Sequence, residues 1–472
     1  MKKLISLLLA VFLLLGLCAC GGSSDGEEAP GTDGLQVGYG KVNITPGYVV
    51  GLGGYSDAET RASQGFIDYV YAICIAVRSG EETILIYTID TCGLGKNDQD
   101  QIRQRVNLVT GIDKEKIFIG ATHGHNCPAL NGYAAADQYL EDFRQGIAQA
   151  GQDALADLAP ATLHRAKADH EGMNFIRHYT LDDGTFVDNS GANGNEDRIV
   201  GHPMPTDPQM ILLKFDRAED KKDILMVNWQ THPDDAGAIG YNTISPGLIG
   251  PMRNKLEKDS GMHVAYFTGA SGNQVRKSKM PAEKLDYSWD EYGEALADLA
   301  FGMIEKLEPV EGIAIKSSHY ILEANVDHSW DHMLAQANEV YDVWKTKGKE
   351  AGDALGKTYG FTSSYQARAI RSRANMGQFI AMEMFAFCIG DVGFTTGTYE
   401  MFSDNGIYVK ENSPFETTFV ITGCSSYVSS DVAYTYRGYE VDTGFYARGT
   451  GEQLAEQYVT MLEGLKTTEP AA

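Results

Sequence analysis

"KIFIGATHGHNCPAL", Lys116 to Leu130, carries two histidines one residue apart, His123 and His125, where an apolar run ends. Along a strand, residues i and i+2 share a face. If the extended geometry persists past the run, both rings point the same way. A second apolar run, "ILMVNWQTH", also ends in a histidine, His232. Histidines on two strand ends suit an open metal site, with ligands on rigid elements and solvent above them. Neutral imidazole suits zinc, and a carboxylate as third ligand leaves a position for water. Glu400, closing "GDVGFTTGTYE", is such a carboxylate.

Working outward, "YVYAICIAVRSGEETILIYTIDT" reads as two strands about a Ser79-Gly80 turn, and "KIFIGAT" as a further strand. "QYLEDFRQGIAQAGQDALADL" places Leu140, Phe143, Ile147 and Ala150 at helical spacing. "NFIRHYTLDDGTFV" is expected as a hairpin about Asp182-Asp183-Gly184, and "QMILLKFDRAEDKKDILMVNWQTHP" as two strands about a charged turn. "HVAYFTGASGN" reads as a strand entering a glycine-containing loop. "QFIAMEMFAFCIGDVGFTTGTYE" and "TTFVITGCSSYVS" supply more strands. The last helix aligns Leu454, Tyr458, Leu462 and Leu465. Helices and strands alternate without a sequence repeat, so the expected class is mixed α/β.

The chain opens "MKKLISLLLAVFLLLGLCACGGSSDG". Two lysines and a short apolar run make a secretory signal. Leu17-Cys18-Ala19-Cys20 resembles a bacterial lipobox, which implies cleavage before Cys20 and a diacylglyceryl thioether on its sulfur. The expected organisation is a lipoprotein signal at 1–19, a flexible tether at 20–35 and a catalytic domain at 36–468. The protein is then an extracytoplasmic lipoprotein held at the membrane through Cys20. A plain secretory signal cut nearby is the alternative. The formal charge of −25 disfavours nucleic acid as a partner. The seven cysteines include no CxxC pair, so a disulfide scaffold is not expected.

"VGYGKVNITP" (Val37–Pro46), "GLGGYSD", "YAICIAVRS", "TIDTCG" and "GATHGHNCPA" follow one another in the order found at the start of neutral/alkaline ceramidases. The resemblance continues through the strand pair ending in His232, "YFTGASGNQVR", "IGDVGFTTGTYEMF" and "SPFETTFVITGCSSYVSSDVAYTYRGYEV", and so runs from about Val37 to Leu465. It implies a neutral ceramidase-like catalytic domain of mixed sheets with metal ligands at strand ends. It implies His123, His232 and Glu400 as zinc ligands and Tyr427 as the residue completing the set. It implies His125 beside the scissile amide and Arg177, in "NFIR", as an active-site arginine. The implied activity is zinc-dependent hydrolysis of the N-acyl amide of a ceramide-like lipid. Two alternatives stand beside it: the same fold acting on a small soluble amide or ester, and a non-catalytic lipid- or glycan-binding surface lipoprotein. The sequence departs from the pattern at Gly124 and Asn126, where the family carries threonine and serine. It also carries Val275 and Arg276 roughly where the family has a loop serine, and no immunoglobulin-like domain of the longer ceramidases is expected.

Other candidates read as structure. His328 and His332 in "DHSWDHML" stand at i and i+4, but no glutamate follows His328, and a solvated helix face is expected. "GLGGYSD" lacks the strand–GxGxxG–helix setting of a dinucleotide site. Cys127 is expected to be packed rather than nucleophilic. Asp234 and Asp235 are read as exposed turn carboxylates, with orientation of His232 as the alternative.

Overall fold

The computed structural model describes residues 34–55, 58–218 and 220–467. The signal segment and Cys20 lie outside them. Leu35, assigned to the tether, belongs instead to the first strand, Leu35–Asn43, where it pairs with Ser79 and is buried. Among the described residues, no helix is long and apolar enough to cross a membrane.

The strand Tyr71–Ser79 shows why these apolar runs form strands. Ile73, Ile75 and Val77 point to one core, while Ala72, Cys74 and Ala76 point to another. Its hairpin partner Glu82–Ile89 divides likewise, Ile84 and Ile86 from Leu85, Tyr87 and Ile89. Both faces are covered, so the sequence reads as a continuous apolar run rather than an alternation. These strands belong to a nine-stranded sheet. Its path runs His263–Thr268, Ile224–Trp229, Gln209–Arg217, Ala159–Asp169, Leu35–Asn43, Tyr71–Ser79, Glu82–Ile89, Ile117–Ala121, and Glu308–Pro309 pairs beside Ala159–Asp169. A four-stranded sheet, Ile315–Asn325, Phe379–Ile389, Val392–Gly397 and Thr417–Thr422, shares its inner core. Phe118 of the large sheet stacks on Phe387 of the small one at 4.0 Å, and Phe387 on Phe394 at 4.4 Å.

Helices cover the outer faces. Lys96–Thr110 and Ala136–Ala156 lie over one half of the large sheet, and Ile249–Ser260 and Trp289–Met303 over the other. The final helix, Thr450–Thr467, buries Leu454, Tyr458, Leu462 and Leu465 on the small sheet. A helical insert, Leu334–Lys347, Lys349–Thr358 and Ser364–Arg373, has a small core of its own built on Val340, Phe361 and Ile370. His328 and His332 do not share a helix. His328 precedes the 3-10 turn Asp331–Met333 and contacts Asp331, whereas His332 stacks on Trp330. Polar side chains taking local partners explain the departure from helical spacing.

One arrangement recurs. A hairpin is followed by a helix and a strand that pairs parallel to the hairpin's second strand. It occurs at Tyr71–Ala121, at Gln209–Thr268 and at Phe379–Thr422. The repeats meet through buried polar side chains. Thr268 Oγ1 donates to the Thr122 carbonyl at 3.0 Å, Thr396 Oγ1 to Ile119 at 2.9 Å, and Asn228 Nδ2 to Val420 at 3.1 Å. Three sets of parallel strands therefore end in one place. Loops beyond the carboxyl ends of parallel strands are where α/β folds bind ligands.

Candidate metal centre

His123 lies two residues past Ile117–Ala121, where its N–H donates to the Thr91 carbonyl at 3.0 Å. Its φ is +66°, in the left-handed region. The extended geometry expected for the histidine pair therefore does not persist. The chain turns at His123, and the turn rather than strand alternation brings His125 over it. A side chain in this region costs about 1–2 kcal/mol and is held only by its surroundings. Gly124 follows with no room for a side chain, since a Cβ there would lie 2.7 Å from Cys127 Sγ and 3.1 Å from Pro246. Gly54, at φ +93°, lets the backbone pass against the His125 ring, 2.6 Å from where its own Cβ would stand. Residues 51–55 of "GLGGYSD" thus bring Gly54 against His125.

The three histidine Nε2 atoms converge. His123 and His232 are 3.0 Å apart, His125 and His232 3.1 Å, and His125 and His123 3.2 Å. All three residues are buried. His123 Nδ1 faces the Cys92 carbonyl, and His232 Nδ1 faces the Ser271 carbonyl at 3.4 Å. A carbonyl only accepts, so each Nδ1 carries a proton, and both rings turn Nε2 toward the same point. Lone pairs that close repel unless a cation or proton sits among them. Burial opposes charging of His123, but the Glu400 carboxylate together with Cys424 and Cys92 overcomes it and pushes His123 well up. Burial, then the charges of His123 and Arg177, keep His125 and His232 well down. The cluster is built around one positive centre.

Glu400 forms the second side. Its backbone pairs with Tyr427 in a short parallel bridge, so both residues enter the site from adjacent strands. Glu400 Oε2 lies 3.3 Å from His123 Nε2 and 3.9 Å from His232 Nδ1. This oxygen is buried and accepts no hydrogen bond. An orphaned carboxylate oxygen beside converging imidazole lone pairs is the donor set of a cation site, and His123, His232 and Glu400 offer atoms within 4.8 Å of one another. The Tyr427 ring lies nearly parallel to His232 at 6.4 Å, and its oxygen accepts from Arg177 Nη2 at 3.2 Å. His125 has the same access to the centre as the other two histidines and also faces the cavity above.

The sequence pointed to Arg177 but not to what holds it. Its Nη2 donates to the Gly272 carbonyl at 2.7 Å, and its Nε lies 2.6 Å from Glu440 Oε1. Glu440 Oε2 lies 3.1 Å from His178 Nε2, whose Nδ1 meets the Tyr436 hydroxyl at 2.6 Å. Burial alone would raise the Glu440 carboxyl, but Arg177 and His178 hold it down at about 2. Glu440 sits inside "RGYEV", and no periodicity marks it. Cys92 was missed similarly. Its carbonyl orients His123, and its Sγ lies within 4.8 Å of the His123 and His125 nitrogens.

The aspartates after His232 differ from expectation. Asp235 is buried and accepts from Arg276 Nε at 2.6 Å, so it is not an exposed turn carboxylate. It caps a charge that would otherwise be buried alone. Asp234 is half-buried, and its carbonyl accepts from the Tyr55 hydroxyl at 2.8 Å. Cys127 is fully buried in the core beneath the helices, as expected. The described cysteines are all free. Above the histidines lies a cavity of 430 Å³, reached by His125, His232, Arg177 and Tyr427 and by Tyr365 and Arg368 of the helical insert.

No family model matches the chain, and no curated protein matches it. Among solved structures, neutral ceramidase from Pseudomonas aeruginosa aligns with a TM-score of 0.68 at 17% identity, covering 93% of this chain and 75% of that one. A ceramidase complexed with C2 aligns at 0.67 and 16% identity, covering 93% and 77%. The chain has the neutral ceramidase fold, and its mixed α/β class agrees with that expected from the sequence.

Proposed function

We propose that this protein is a zinc-dependent hydrolase that cleaves an N-acyl amide with water. The observation that carries the reading is the convergence of three buried imidazole nitrogens beside the orphaned Glu400 oxygen. The likeness to ceramidase structures supports the reaction class. His123, His232 and Glu400 would hold the ion, with Tyr427 as the fourth donor. Imidazole nitrogen with carboxylate oxygen favours zinc over magnesium or calcium. A zinc ion in this set supplies Lewis-acid polarisation of the acyl carbonyl and acidifies water to a pKa of about 7.

The chain's own groups do the rest. The Cys92 and Ser271 carbonyls fix the tautomers that point Nε2 inward. Arg177, fixed by Glu440 and Gly272, presents a permanent cation where negative charge develops on the acyl oxygen. Burial keeps His125 neutral, so it can take a proton from water and return it to the departing nitrogen. Water oxygen adds to the acyl carbon, the C–N bond breaks, and a carboxylate and a protonated amine leave.

The test is amine release from N-acyl substrates by the zinc-loaded protein, lost on chelation and restored by zinc. Release that is unaffected by chelation contradicts the reading. The sequence adds placement outside the cytoplasm through lipidation at Cys20. Cys20→Ser is expected to free the protein from membranes, and a variant still bound after a high-salt wash removes the anchor from the account.

A further inference from the structure

Four tyrosines stand among the thirteen residues that line the half-open cavity above the histidines. Tyr365 meets Tyr439 edge-on at 6.2 Å, Tyr439 meets Tyr427 at 6.0 Å, and Tyr427 lies along His232. Across the cavity, Tyr55 stands edge-on to His125 at 4.9 Å. The remaining lining is polar or charged, including Arg368, Asn189, Ser190 and Asp234, and among the described residues no aliphatic side chain lines it. The cavity's apolar surface is aromatic ring face, so a long alkyl chain would meet no aliphatic wall and would also lie against charged groups without replacing their hydrogen bonds. The cavity volume, 430 Å³, is that of a small-molecule site.

Resting on the hydrolase reading above, we infer that the substrate is a compact N-acyl amide with a short acyl group on a polar amine, of the size of an N-acetylated amino sugar or amino acid. Tyrosine rings offer flat faces with hydroxyls at their edges, which suit a ring or side chain carrying its own polar groups. Arg368 and Asn189 supply hydrogen-bond donors for hydroxyls or a carboxylate. The acyl group leaves as a short carboxylate and the polar part as an amine, with water supplying the oxygen and the protons.

The experiment uses the zinc-loaded full chain with N-acetylglucosamine, N-acetyltyrosine and N-hexadecanoylsphingosine in detergent micelles. Amine release and calorimetric binding are measured for each. The expected result is a kcat/KM for the better acetyl compound at least tenfold above that for the long-chain amide. The two acetyl compounds tell a sugar from an amino acid. Arg368→Leu, at an exposed position, is expected to raise the rate on N-hexanoyl relative to N-acetyl substrate at least threefold. Preference for the long-chain amide overturns the inference while leaving the hydrolase reading intact, and it would place the chain along Tyr241 toward the exposed Phe66 and Ile67. Binding of an acetyl compound without amine release supports the substrate class and removes the hydrolase reading. No binding and no release with all three overturns both.

Discussion

At His123 the backbone, the tautomer and the charge each have a named cause. The left-handed φ turns the ring inward, the Cys92 carbonyl fixes its proton, and Glu400 draws positive charge to its Nε2. His232→Ala or Glu400→Ala is therefore expected to abolish metal binding, read as metal per chain after dialysis. His125→Ala separates two roles. Retained metal with lost activity makes it the proton carrier, and metal lost as fully as in His232→Ala makes it a ligand. Glu440 allows a test of sign. Its folded pKa of about 2 lies below the ordinary carboxylate value, so its contribution is fully present above that ordinary value and fades as pH falls toward 2. Glu440→Gln should cost roughly 3 kcal/mol in urea denaturation at pH 7. The difference from wild type should shrink between pH 5 and pH 3, and a difference that grows on acidification contradicts the pairing. His123 was legible because histidine at a strand exit is an unusual pattern. Glu440 was not, because its partner Arg177 is distant in sequence and a buried ion pair leaves no periodic trace.

At the scale of elements, the site is assembled by loops that follow parallel strands. His123, His232, Glu400 and Tyr427 all lie just beyond a strand of one of the three hairpin–helix–strand units. The strands could be read from the sequence because burial on both faces makes them continuous apolar runs, and the helix Ala136–Ala156 because Phe143, Ile147 and Ala150 share one face. The recurrence could not be read, since it lies in topology and pairing. The insert at Leu334–Arg373 was missed because its buried face is narrow and built on few side chains. Its contribution of Tyr365 and Arg368 to the cavity was hidden with it. Thr268 links two of the units. Thr268→Val keeps the shape and removes the donor to Thr122 at the root of the histidine loop. The expected loss is about 1–2 kcal/mol, with weaker metal affinity. Unchanged affinity would show that this junction does not govern the loop.

At the scale of the molecule, the two sheets share one core, and residues from early, middle and late in the chain meet at one centre. A cation bound there should stabilise the whole described region, by about 4 kcal/mol at a concentration a thousandfold above its Kd. Thermal unfolding is accordingly expected as one transition that moves down on chelation. Two transitions, only one of them metal-sensitive, would mean that the halves fold separately. The most direct measurement is the metal content of the purified full chain by elemental analysis, with zinc affinity measured after chelation and reloading. The account predicts about one zinc per chain, the content of a single tetrahedral site, lost in Glu400→Ala. A wild-type chain that takes up no zinc, cobalt or other divalent cation, with His123 simply carrying a proton beside Glu400, would contradict it.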